Sequence, residues 1–149
     1  MNEFAERILL KEAEARFDTS IDAEDAFYEA FESRNLSLMM QIWADDEQIS
    51  CIHPLGAHLR GRRAIQRSWR EIFAGSEGMH ISRKLNFCVE QDDVVIHCVT
   101  ETIELSGEKG SRTPVTTTNI FRRTEAGWRL VLHHASPLAH EVDPLSTLH

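Results

Sequence analysis

The side chains with the most chemical capacity in this sequence are carboxylates, imidazoles and one carboxamide on alternating positions of two β-rich segments. His97, Val99 and Glu101 lie two apart, as do Asn119 and Phe121, and side chains two apart on a strand share a face. Closing the loop Ser106 to Pro114 with Leu105 opposite Val115 places Glu101 against Asn119, Val99 against Phe121 and His97 against Arg123. A polar cluster then sits within an apolar sheet face. Such a set suits proton transfer, with Glu101 or His97 as the catalytic acid or base and Asn119 orienting a carbonyl or hydroxyl. Burial beneath Trp69 and Phe73 is expected to raise the pKa of Glu101, with Arg123 as the candidate compensating cation.

The last hairpin adds a histidine to this face. A four-residue turn from Thr124 to Gly127 turns His134 towards Asn119, whereas a one-residue bulge turns His133 there. Trp43, Trp69 and Phe73 come from helical segments that must cover the same face, so with Val99 and Phe121 they would line an apolar pocket. His53, next to Pro54 at a strand end, is placed at its mouth.

Other chemistries lack their residues. A ketosteroid-isomerase-like mechanism needs a carboxylate base plus a tyrosine and a protonated acid around the oxyanion. Here the one tyrosine, Tyr28, lies on an early helix and no second inward acid is evident. Eight histidines occur without HExxH, His-x-His or finger spacing, so neither a metal nor another cofactor is expected. His133 and His134 are adjacent on a strand and point to opposite faces.

Positioning these groups takes a sheet backed by helices, and the hydrophobic periods supply both. Phe4, Ile8 and Leu9 predict a leading helix over residues 3 to 17. Asp22 is placed to cap a second helix, in which Phe27, Ala30 and Phe31 recur on one face. Arg34-Asn35 interrupts that helix, and Leu38, Met39, Ile42 and Trp43 restart the period. Ile49 to His53 reads as a short strand, and Gly61 opens a helix with Ile65, Trp69, Ile72 and Phe73 on one face. From residue 79 the period is two, predicting strands near 80 to 90, 94 to 105, 115 to 123 and 128 to 136. Helices followed by a meander without βαβ alternation imply an α+β fold, a curved antiparallel sheet wrapped around helices. One domain over 1–149 is expected, with a core at 21–137 and a C-terminal arm at 138–149.

The whole-chain properties narrow the partners. A net charge of -8 argues against a nucleic-acid backbone as ligand, and the run Arg60, Arg62 and Arg63 reads as a solvated helix start. Glu3, Glu6 and Arg7 interrupt the apolar N-terminus, and no 18-residue apolar run occurs, so a cytoplasmic protein without a membrane partner is expected. Cys51, Cys88 and Cys98 lack CxxC spacing and read as three reduced thiols. Ile96, Cys98, Ile120 and Val131 or Leu132 make the outer sheet face apolar, which predicts a homodimer through that face.

Three strings in the first half, Ile42-Trp43-Ala44-Asp45-Asp46, Cys51-Ile52-His53-Pro54-Leu55-Gly56 and Leu59-Arg60-Gly61-Arg62-Arg63-Ala64-Ile65, resemble a SnoaL-like domain. Thr118-Asn119-Ile120-Phe121-Arg122-Arg123-Thr124, Gly127-Trp128-Arg129-Leu130 and His133-His134-Ala135-Ser136-Pro137 resemble its closing hairpin. The resemblance covers residues 21 to 137 and implies the cone of the nuclear transport factor 2-like (cystatin-like) superfamily, with an interior pocket, His133 inward and pairing through the sheet face. It also implies pocket groups at the positions of Glu101 and Asn119, which are arginines in the calcium/calmodulin-dependent kinase association domain, so the charge is reversed here. The superfamily holds isomerases, polyketide cyclases, dehydratases, transport factors and association domains, so fold alone names no reaction. Two functions follow as expectations. One is a pocket protein for a small apolar ligand, as an acid-base isomerase, cyclase or dehydratase on an apolar carbonyl compound. The other is a non-catalytic dimerisation or association module.

Overall fold

The computed structural model describes residues 15–75, 78–106 and 112–138. Helix α1 (Ser20–Ser33) starts at Thr19, whose side chain accepts from the Asp22 N–H. Thr19 is therefore the cap in place of Asp22, whose carboxylate sits in the first turn, where the helix dipole favours a negative charge. The helix ends where Arg34 turns left-handed at φ 56° and its N–H reaches the Ala30 and Phe31 carbonyls. Asn35 at once caps α2 (Leu36–Ile42) by accepting from Leu38 N–H. Back-to-back caps thus make the bend that the Arg34-Asn35 interruption predicts.

Two short strands, β1 (Ser50–Ile52) and β2 (Leu59–Arg60), lead into helix α3 (Arg62–Gly75). Four long strands complete the fold: β3 (Met79–Gln91), β4 (Val94–Leu105), β5 (Arg112–Thr124) and β6 (Gly127–Pro137). The sheet order is β2-β1-β6-β5-β4-β3. Every neighbouring pair is antiparallel except β1 with β6. The expected antiparallel meander runs from β3 to β6, and β1 joins its edge in parallel because it arrives from the helical layer and not from a hairpin. The two-residue β2 is too short to leave a periodic signal.

The fold is α+β, with the helices on the concave face of the sheet. Phe27, Phe31, Met39, Ile42, Ile65 and Trp69 from the helices meet Val99, Phe121 and Leu130 from the sheet in one buried cluster. None of the described helices is long and apolar enough to cross a membrane. Most of the expected leading helix (3–14) and arm (139–149) lies outside the described residues. The end of that expected helix, Ala15 to Phe17, is not helical, and Phe17 forms a parallel bridge with Gly127. Gly127 allows this approach, since at φ 99° an added Cβ would stand 2.6 Å from the Phe17 carbonyl oxygen.

Two bulges set which side chains face inward. Between β5 and β6 the pairs Ile120–Leu132 and Phe121–Leu130 leave Val131 as the extra residue, and His133 then faces Asn119. Between β3 and β4 the pairs Leu85–Val99 and Phe87–Cys98 leave Asn86 extra. Leu85 therefore shares the inner face with Val99, whereas Phe87 and Val89 pass to the outer face.

Candidate functional site

The strands β4 and β5 pair differently from the expectation. Glu101 stands opposite Val115, Val99 opposite Thr117, His97 opposite Asn119 and Val95 opposite Phe121. Ladder pairing continues to Glu104–Arg112, so the connecting loop is shorter than Ser106 to Pro114. The slip is four residues, an even number, so Glu101, Val99, His97, Asn119 and Phe121 still share the concave face. All five are at most 1% exposed.

Helix α1 completes a hydrogen-bonded chain across that face. His97 Nδ1 lies 2.7 Å from Glu24 Oε2, and His97 Nε2 lies 3.1 Å from Ser20 Oγ. Glu24 Oε2 accepts from Asn119 Nδ2 at 3.2 Å, and Tyr28 OH accepts from the same nitrogen at 3.1 Å. A carboxylate only accepts, so the amide nitrogen of Asn119 must face Glu24. Asn119 Oδ1 therefore faces His133 Nδ1 at 2.7 Å, which makes that nitrogen the protonated one. Beyond Tyr28, which also hydrogen-bonds Glu101, the Glu101 Oε1 accepts from Thr117 Oγ1 at 2.6 Å.

Burial tunes these groups. The Glu101 carboxyl is pushed up to about 7, mainly by burial and further by the charge of Glu24, against the hydrogen bonds from Thr117 and Tyr28. Tyr28 is also pushed up, first by burial and then by the charge of Glu101, while the Arg83 guanidinium sits 4.7 Å over its ring. His133 is held down to about 3 by burial, with smaller contributions from His53 and His134. Near neutral pH the cluster thus has a neutral His133 imidazole and a neutral phenol beside a carboxyl whose proton affinity lies well above the usual carboxylate range.

An aromatic group adjoins the chain at His133. The Trp69 ring contacts Phe31 and His53 at 4.8 Å, Phe27 and Phe73 at 5.6 Å and His133 at 6.1 Å, measured between centroids. Its Nε1–H is buried without a hydrogen-bond partner. Ser68 donates to the Ile65 carbonyl, so His53 Nε2, 3.0 Å from Ser68 Oγ, is the donor in that pair. Burial lowers the pKa of His53, which keeps this imidazole neutral as well.

Several expected placements change. Trp69, and not Glu101, forms the aromatic group with Phe73, while the polar partners of Glu101 are Thr117 and Tyr28. Trp43 bridges to Leu130 and lines a separate cleft with Arg62 and Arg129. Arg123 pairs with Asp93 at the exposed β3–β4 turn and cannot compensate Glu101. Among the described clefts, none is lined by the buried chain, whose members pack against one another. Among the described residues, no group of three or more His, Cys, Asp or Glu converges as a metal site.

Ser20, Glu24 and Tyr28 are the participants that strand spacing does not reveal. Their signal is helical: steps of four place them beside the Phe27 and Phe31 stripe. Tyr28 and Glu24 supply the inward tyrosine and second inward acid that the sequence pattern does not bring to the sheet face.

The comparisons agree with this geometry. A candidate calcium/calmodulin-dependent protein kinase type II association domain from Thiobacillus denitrificans is 45% identical, with a TM-score of 0.80 over 84% of this chain and 99% of that one. A candidate dehydratase of the NTF2-like family from Streptomyces avermitilis is 31% identical, with a TM-score of 0.72 over 79% of this chain and 93% of that one. The F-box protein SKIP8 of Arabidopsis thaliana is 25% identical over 126 residues, 85% of this chain. This chain spans 52% of that protein's length. With a concave sheet face carrying buried polar groups beneath the described helices, and a family profile matching residues 21–140, the chain belongs to the SnoaL-like domain family.

Proposed function

We propose that the protein binds an uncharged small molecule inside its cone and moves a proton on it, as an isomerase, cyclase or dehydratase does. The observation that carries this reading is Glu101, a carboxyl 1% exposed and raised to about 7, held by hydrogen bonds from Thr117 and Tyr28. Burying an ionisable carboxyl without a matching cation costs several kcal/mol, and active sites are where such costs concentrate. A proton affinity near the working pH also suits a general acid or base.

In this reading Glu101 exchanges a proton with a carbon or hydroxyl next to the ligand's carbonyl, and Tyr28 OH, whose one proton goes to Glu101 in the unliganded chain, turns that proton to the developing oxyanion. His97 keeps its contact with Glu24, which orients Asn119. The orphan Trp69 N–H donates to a ligand oxygen, and the neutral rings of His53 and His133 give that end an uncharged, aromatic seat. The interior is closely packed in the unliganded chain, and half-buried His53 and Phe73 are the side chains a ligand would displace on entry. The candidate dehydratase among the relatives is consistent with chemistry of this class.

Glu101→Gln keeps shape and hydrogen-bonding capacity but removes the titrating proton. Screening apolar ketones by thermal shift, followed by turnover of the hits, is expected to show stabilisation of the wild type and loss of turnover in the variant. A variant that turns over a hit at the wild-type rate would falsify this reading.

A second observation favours an association role through the opposite face. The Asn86 bulge puts Phe87 and Val89, 56% and 37% exposed, beside Val94 at 39%. Ile96, Cys98, Ile120 and Leu132 extend this patch. We infer a homodimer through it, compatible with an interior site. Light scattering is expected to give twice the 17.1 kDa chain mass, and Phe87→Lys with Val89→Lys to give the single mass. A monomeric wild type at micromolar concentration would sink the idea.

A further inference from the structure

The interior site leaves one strongly charged surface unused. Arg60, Arg62, Arg63, Arg67 and Arg70 lie within eleven residues of a chain that has 16 basic residues in all and a net charge of -8. Arg62 is occupied within the fold, donating to the carbonyls of Met40, Trp43 and Ala44. Arg60, Arg63 and Arg67 are exposed and line one open groove of about 630 Å³ between β2 and α3, with Leu59, Ala64, Ser68 and Glu71. Among the described residues no ion pair engages Arg60 or Arg63. Arg67 meets Glu71 at 3.4 Å, an exposed i,i+4 pair of the kind that contributes little and exchanges readily.

We propose that this groove is a docking surface for an acidic peptide segment carrying an aliphatic residue. Charge complementarity is the first ground: among the described residues lining the groove Glu71 is the sole acid against three guanidiniums, and it meets Arg67 only through an exposed pair, so the groove carries a surplus of positive charge. The second is the layout. Arg63 and Arg67 are one helical turn apart on α3 and Arg60 is on β2, so cations come from both elements that line the groove. Positions 63 to 71 of a helix span about 12 Å, the length of three to four extended residues. The third is the apolar contribution of Leu59 and Ala64, which offers a seat for an aliphatic side chain between the flanking carboxylates. Leu59–Arg60 is also the edge strand of the sheet, where an extended segment finds backbone groups to pair with.

Fluorescence polarisation with a labelled six-residue peptide of glutamate and aspartate around two leucines tests this on the full chain. Binding is expected to weaken as salt rises and to fall by about tenfold or more in Arg63→Glu with Arg67→Glu, with the melting temperature unchanged because both side chains are exposed. A peptide with serine for leucine is expected to bind more weakly, and one with lysine for the acids not at all. Four results overturn the proposal: no binding to the wild type, equal binding to the double variant, displacement by inorganic phosphate at the peptide's own concentration, or equal affinity for an oligonucleotide. If the double variant is less folded, Arg60→Gln serves as the second test, and its failure to weaken the peptide counts equally against docking. None of these readouts depends on the interior site.

Discussion

Glu101→Gln is expected to make the protein more stable than the wild type by about 3 kcal/mol near pH 8, and equally stable near pH 4. The carboxyl sits at about 7 in the folded chain against an ordinary value of 4.5. Between those values the folded state binds more protons than the unfolded state, so wild-type stability falls as pH rises through that window. Glutamine resembles the neutral carboxyl in shape and still accepts from Thr117, so it carries the low-pH stability to high pH. His133 acts in the other direction: held down to about 3, it costs stability as pH falls below its ordinary 6.5. That cost is common to both proteins and cancels in the difference. Urea titrations of both proteins across this pH range read it directly, and parallel curves would mean that Glu101 ionises freely.

Asn119→Leu is expected to destabilise the protein by about 3–5 kcal/mol, which for a chain of this length lowers Tm by roughly 10 °C. The substitution nearly preserves volume, so the loss is one of polarity. Asn119 is the hub of the buried chain: it donates to Glu24 and Tyr28 and accepts from His133. Leucine removes all three contacts at once, where a buried polar group left without a partner costs about 1–3 kcal/mol. Nitrogen NMR of the imidazoles supplies a second readout, since His133 loses the acceptor that holds its proton on Nδ1. A Tm drop of a degree or two, with the His133 tautomer unchanged, would show that the chain is not held through Asn119.

Both predictions rest on a sheet face that strand alternation alone assigns. His97, Val99 and Glu101 alternate along one strand and Asn119 and Phe121 along the next, which puts them on one side of the sheet. That assignment survives a four-residue slip because the strand period is two. The break between the two helices is equally legible in the sequence, because Arg34 and Asn35 act through local backbone geometry and need no distant partner, whereas the cap read at Asp22 falls on Thr19.

What the chain does not reveal by itself is which groups meet. The strand partners depend on how tightly the β4–β5 loop closes. The inward turn of His133 depends on Val131 being extra, and the outward turn of Phe87 on Asn86, since a bulge is a choice between ladders that differ by one residue. Glu24 and Tyr28 lie at the margin of the α1 stripe, where helical periodicity allows either solvent or core. Only the depth of the sheet beneath α1, with His97 and Asn119 as partners, decides that both point inward. Trp43 and Trp69 read alike in sequence as helix-face aromatics, yet they sit in different places because α2 ends at Trp43 and delivers it to Leu130. Local periods set faces and caps through short-range geometry. Pairing across the molecule follows from loop closure and the satisfaction of buried polar groups, and these exist only once the chain has folded.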